Sequence, residues 1–153
     1  MRRRARTSLR AGLLAVALAL GALQSAIALP VPEPQRPLVV GDDRGGGILT
    51  RAREIRGLRR ARRDVRIVGE ICYSTCTMLI GLETACVSPR TVFGFHGPAR
   101  PGGKLDAEEF DRASRIIAAH YPSVIRDWYM ETARHTVRHV RGSDLIALGM
   151  RPC

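Results

Sequence analysis

Ser74 and His96 have the residue types and the setting for nucleophilic catalysis. Ser74 sits in a tight Cys-Tyr-Ser-Thr-Cys turn after the apolar run 65–71, and the short helical stretch through Leu79 and Leu82 follows it. His96 ends a second apolar run, 91–95. A serine hydroxyl is a poor nucleophile at neutral pH and needs a base within hydrogen-bond reach, which an imidazole on the next strand can supply. A helix beginning at Ser74 also leaves backbone N–H groups without intrahelical acceptors, where an oxyanion can be held. The alternative reading makes Ser74 an N-cap and His96 a loop residue.

The elements that must position this pair can be read from the flanking sequence. Residues 37–40 (Pro-Leu-Val-Val) read as a short buried strand, and residues 41–47 (GDDRGGG) as a turn whose glycines permit positive φ and close backbone approach. Ile48, Leu49, Ala52, Ile55 and Leu58 recur at helical spacing, predicting a helix over about 48–62. Strand, glycine turn, helix, strand, helix, strand is a βαβ alternation, so an α/β fold with a mostly parallel sheet is expected.

After His96, residues 97–104 (GPARPGGK) form a Pro/Gly loop, in the place of a substrate flap or a surface linker. A helix over 106–119 follows, with Asp106 as N-cap, Glu109 as its capping-box partner and Phe110, Ala113, Ile116 and Ile117 as its apolar stripe. A second helix is expected over about 123–134, with Val124, Ile125, Trp128 and Tyr129 inward and Trp128 as core or interface. Ser143 is expected to cap a short last helix that Gly149 closes. His135 and His139, four apart, read as surface residues on one helical face.

The chain begins with the pattern of an export signal. Arg2, Arg3, Arg4, Arg6 and Arg10 precede an apolar run over 11–23, and Ala26-Ile27-Ala28 is a small-x-small cleavage site. Residues 1–28 are therefore expected to be a signal peptide and 29–37, with four prolines in nine residues, an extended leader. The single domain is 38–153, and its compartment is periplasmic or extracellular. An uncleaved signal would instead anchor the protein in a membrane.

Removing the signal peptide's five arginines leaves +6 of the chain's +11. Much of that charge lies in residues 51–66, which carry eight Arg against Glu54 and Asp64. Without aromatic residues interleaved for base stacking, this run reads as the solvated face of an amphipathic helix, and no nucleic-acid partner is expected.

All four cysteines, Cys72, Cys76, Cys86 and Cys153, follow the leader, and an even count in an oxidising compartment implies two disulfides. Of the three pairings, Cys76–Cys86 would close the helix after Ser74 and Cys72–Cys153 would tie the C-terminus to the turn; these two are expected. A zinc site built from Cys-x3-Cys and His96 has poor ligand spacing, so neither metal nor cofactor is expected.

Residues 38–96 resemble the core of the Clp protease proteolytic subunit, within the crotonase-like superfamily. In that family a strand ends in a Gly-Gly loop, a second strand leads to the nucleophilic serine, and a histidine follows a proline by seven residues. Here Gly45-Gly46 stand in the loop, Ser74 is twenty-eight residues beyond Gly46, and Pro89 is seven before His96. The segment Ser143-Asp-Leu-Ile-Ala-Leu-Gly149 is similar to the family's late helix. The resemblance implies a ββα spiral with C-terminal helices. It makes Ser74 the nucleophile and His96 the base, with the Gly46 and Thr75 amides as oxyanion donors.

Three departures accompany it. The family's Ser-Pro-Gly-Gly loop is Asp43-Arg44-Gly45-Gly46 here. The triad acid, counted back from Gly149, falls on Val137, leaving Asp127, Glu131, His135 and His139 as substitutes. The family's first strand and helix have no counterpart before residue 38. The expected activity is that of an exported serine hydrolase acting on a peptide or other acyl compound, and self-association into rings is expected from the family. The alternative is an inactive crotonase-fold protein with a binding or structural role in the periplasm.

Overall fold

The computed structural model describes residues 35–153. The expected signal peptide, and residues 29–34 of the leader, lie outside the described residues. Among the described residues, six short strands and four α-helices follow one another, and three of the four strand pairings are parallel. The α/β class expected from the alternation is what folds.

The first half forms β1 (Leu38–Val40), α1 (Ile48–Arg60) and β2 (Val65–Ile67). Helix α1 buries Ala52, Ile55 and Leu58, three residues apart, with Ile48 partly buried, whereas Leu49 of the expected apolar stripe is exposed. Parallel strands need a crossover connection, and α1 supplies it between β1 and β2. The apolar run after α1 is not one strand. Val65–Ile67 pairs with β1, whereas β3 (Ile71–Tyr73) belongs to another sheet. The chain changes sheets at Gly69, where an added Cβ would lie 2.2 Å from the carbonyl carbon of Gly41. The Asp42 carboxylate fixes that crossing by accepting from the Glu70 and Ile71 amides.

The expected single sheet is therefore two. One is wholly parallel, in the order β1-β2-β4, with β4 at Ala85–Val87. The other is β3-β5-β6, with β5 (Val92–Phe95) parallel to β3 and antiparallel to β6 (Arg138–Arg141). The short helix expected after the turn is a 3₁₀ helix, Ser74–Gly81, packed on strands of both sheets. Its residues from Thr75 to Ile80 are all buried, and α1 and α2 both pack on it. It is the core's central element.

Helix α2 (Ala107–Ala118) starts as its sequence requires: the Asp106 side chain accepts from Glu109 N–H at 2.8 Å, and the Glu109 side chain accepts from Asp106 N–H. The next helix is shorter than expected. Helix α3 (Ser123–Trp128) gives way to a π-helical turn, Tyr129–Ala133, and Val124 is exposed rather than inward. Trp128 packs edge-to-face on Phe95, with ring centroids 5.3 Å apart. Helix α4 (Gly142–Ala147) is capped at Arg141, whose N–H donates to Asp144, so Ser143 lies inside the helix rather than at its cap. Gly149 closes it with φ +99°.

Both expected disulfides are corrected: the bonds are Cys72–Cys76 and Cys86–Cys153. The turn at Ser74 brings Cys76 back against its own strand. The C-terminal segment pairs alongside β4 through Val87 N–H to Arg151 O and Cys153 N–H to Val87 O, which sets Cys153 beside Cys86. Among the described residues, no helix is long and apolar enough to cross a membrane.

Candidate active site

Ser74 follows β3 directly and has φ +56°, one of two non-glycine residues among those described in the left-handed region. An L-residue held there is strained by about 1–3 kcal/mol, and such strain collects at functional turns. The surroundings fix the conformation. Cys72–Cys76 closes the turn over Ser74, and Thr77 Oγ1 donates to Ser74 O at 2.6 Å. Gly45, with φ +91°, lies so close that a Cβ there would be 2.5 Å from Ser74 Cβ and 2.9 Å from both Thr75 N and Tyr73 O. Only a glycine fits.

Asp43 holds Gly45 in place. Its Oδ1 accepts from Gly45 N–H at 2.7 Å, and its backbone joins β3 through Asp43 N–H to Ile71 O and Tyr73 N–H to Asp43 O. Its other carboxylate oxygen is paired with Arg51 on α1. The loop position that departs from the Clp pattern thus serves as the loop's anchor. Sequence reasoning missed this role, although an Asp two residues before a Gly is the signal of an Asx-turn.

Gly46 and Thr75 are brought together, Thr75 Oγ1 donating to Gly46 O at 3.4 Å. Thr75 is the second residue of the 3₁₀ helix, so its N–H has no intrahelical acceptor. A Cβ at Gly46 would meet nothing within 4 Å, so the Gly46 backbone borders open space. The Gly46 backbone and Thr75 are thus neighbours at the Ser74 turn.

His96 lies beyond β5, the strand paired with β3. Tyr73 is in register with Gly94, so both parallel strands present their C-terminal ends, with Ser74 and His96, at one edge of the sheet. His96 is half-buried. Its Nδ1 lies 2.6 Å from Gly97 O; a carbonyl can only accept, so Nδ1 carries the proton and Nε2 of the neutral ring is the free base. Tyr129 O–H donates to His96 O at 3.4 Å, and Gly97 packs against Arg134 O and Phe110, which leaves no room for a Cβ there. Ser74 Oγ and His96 share no hydrogen bond among those of the described residues. Catalytic contacts are often long without substrate and tighten when it binds.

None of the four substitutes for the triad acid is hydrogen-bonded to His96. His139 is on β6, not on a helix, opposite Gly94 and 5.4 Å from the Tyr73 ring centroid. His135 packs on Phe110 and accepts from Arg134. Asp127 and Glu131 are exposed. Beside this region Asp111 bridges Arg134 and Arg115, which hold its carboxyl below the usual range, the Arg134 hydrogen bond contributing most.

This arrangement of elements also occurs in a crystal structure of a peptidase from Plasmodium falciparum. The fold resembles that of a peptidase. The likeness has a TM-score of 0.50 and covers 75% of this chain and 76% of that one, at 9% identity. Identity that low makes it a likeness of fold alone. No protein-family model and no curated protein matches the sequence.

Proposed function

We propose that the protein is an exported serine hydrolase of the peptidase type, with Ser74 as nucleophile and His96 as general base. The observation that carries the reading is the strained left-handed Ser74, wedged on Gly45 at the strand edge it shares with His96. Strain of this kind has no use in a simple N-cap, which takes an extended conformation. The peptidase fold-likeness and two disulfides, suited to an oxidising compartment, support the same reading.

In the reaction, Ser74 Oγ attacks the substrate carbonyl carbon while His96 Nε2 takes the hydroxyl proton. The carbonyl π electrons move to oxygen, and that oxyanion is held by the Gly46 and Thr75 amides. His96 then returns the proton to the leaving group as the acyl–serine bond is retained. Water, deprotonated by the same nitrogen, releases the acid and restores Ser74. The Gly97 carbonyl, in place of a carboxylate, fixes the His96 tautomer. A neutral acceptor stabilises the imidazolium less than a carboxylate does, so slow turnover is expected. The test is hydrolysis of activated peptide esters by the oxidised protein, with loss of activity in His96→Gln.

A second reading is a non-catalytic binding protein on the same scaffold. It is favoured by the missing carboxylate and by the absence of a Ser74–His96 hydrogen bond among the described residues. Normal folding together with complete inertness to acylating reagents would select it.

A further inference from the structure

The 3₁₀ helix has a second functional end. Gly81, its last residue, lies seven rises from Ser74, about 14 Å along the axis. There it meets the turn after α2 so closely that a Cβ on Gly81 would lie 1.6 Å from His120 O. Around this contact a cavity of about 430 Å³ opens, lined among others by Arg59, Arg126 and Arg151. It adjoins a second cavity of about 620 Å³, lined in part by Arg59 and Arg62. Glu83, the one carboxylate among the lining residues, makes no salt bridge among the described residues.

Two of these arginines are solvent-exposed but tethered to backbone carbonyls. Arg126 donates from Nε to Ala118 O and from Nη2 to Tyr121 O. Arg151 donates from Nη2 to Thr84 O at 2.6 Å and from Nε to Ala85 O. Its backbone is paired with β4, two residues from the Cys86–Cys153 bond. Backbone carbonyls thus orient both guanidinium groups without neutralising them, and each keeps three N–H donors unspent. The contrast with other arginines is direct. Arg51, Arg100, Arg112, Arg115 and Arg134 each face a carboxylate within 3 Å, whereas the nearest to Arg151 is Asp64 at 4.0 Å. Arg59, Arg62 and Arg126 have none among the described residues.

Guanidinium groups with free donors lining one recess, two of them tethered, match the charge and hydrogen-bonding needs of an oxyanion. We propose that this recess binds a small ligand bearing a multiply charged oxyanion, of the phosphate or carboxylate type, through Arg59, Arg126 and Arg151. Both sources present the same chemistry to the forks. The site is separate from Ser74 and does not depend on its being catalytic.

The test is isothermal titration of the oxidised full chain at low ionic strength, with pyrophosphate and, separately, with citrate. Saturable one-to-one binding of at least one probe is expected, and which one binds tells phosphate from carboxylate. Affinity should fall about tenfold in Arg59→Gln and in Arg126→Gln, the loss of one charge-assisted contact. Arg59 makes no side-chain hydrogen bond among the described residues, so its variant should fold normally. Ser74→Ala and Arg53→Gln, the latter on the exposed face of α1 outside the recess, should bind unchanged. Absence of saturable binding, or an equal loss in Arg53→Gln and Arg59→Gln, would overturn the proposal.

Discussion

Ser74 and Gly45 are locked together: the left-handed serine exists because the loop beneath it has no side chain, the space for one being 2.5 Å from Ser74 Cβ. Gly45→Ala must therefore displace the Ser74 turn or the loop, with the new side chain also strained by its own φ of +91°. A loss of about 2–4 kcal/mol of stability, together with loss of serine reactivity, is expected from denaturant unfolding and activity measured on the same samples. Gly46→Ala, with open space around it, should cost less than about 1 kcal/mol.

The strain at Ser74 has a converse. Ser74→Gly removes both the hydroxyl and the disfavoured φ, so it should abolish hydrolysis while leaving stability unchanged or raising it by about 1 kcal/mol. A large loss of stability in this variant would show that the turn is not strained.

Asp43 joins the glycine loop, β3 and α1, and its two carboxylate oxygens can be separated by substitution. Asp43→Asn keeps an acceptor for Gly45 N–H but loses the charge pair with Arg51. Asp43→Ala loses both and should be the more destabilising by about 1–2 kcal/mol, read as a lower urea midpoint at unchanged slope.

How much of this was legible in the sequence depends on how local each feature is. Helices α1 and α2 were readable because their apolar spacing and the Asp106–Glu109 capping box are written within one element. Strands β4 and β6 were not, since Ala-Cys-Val and Arg-His-Val-Arg carry no alternation of their own and exist through pairing with distant segments. Cys86–Cys153 was missed for the same reason, since Cys153 meets Cys86 only because the chain end adds alongside β4, whereas the local Cys72–Cys76 bond depends on the turn at Ser74. Ser74 and His96 were singled out by residue type and setting, and Gly46 and Thr75 only through the resemblance to the Clp protease subunit. The roles of Gly45 and Asp43 depend on a backbone approach that spacing does not encode.

The corrected disulfides make a quantitative prediction. Opening Cys86–Cys153, which spans a separation of 67 residues, should cost about 4 kcal/mol, and opening the four-residue separation of Cys72–Cys76 about 2 kcal/mol. Peptide mapping without reduction should recover the two pairs as named, with Cys153→Ser the less stable of the single-bridge variants.

Stability should also fall in alkali. Burial pushes the Tyr129 phenol up to about 12, and burial raises Tyr121 as well, its O–H lying 2.6 Å from Thr77 Oγ1. In the unfolded chain both ionise near pH 10, so between about pH 10 and 12 the unfolded state loses protons first and folding weakens as pH rises. Urea midpoints measured from pH 8 upward should drop beyond about pH 10, less steeply in Tyr129→Phe.

The most direct measurement is labelling of the oxidised protein with a fluorophosphonate, followed by mass mapping of the modified peptide. The account predicts one adduct, on Ser74, absent in Ser74→Ala and at least about a hundredfold slower to form in His96→Gln. A folded protein that takes no label, or takes it on another residue, would contradict the account.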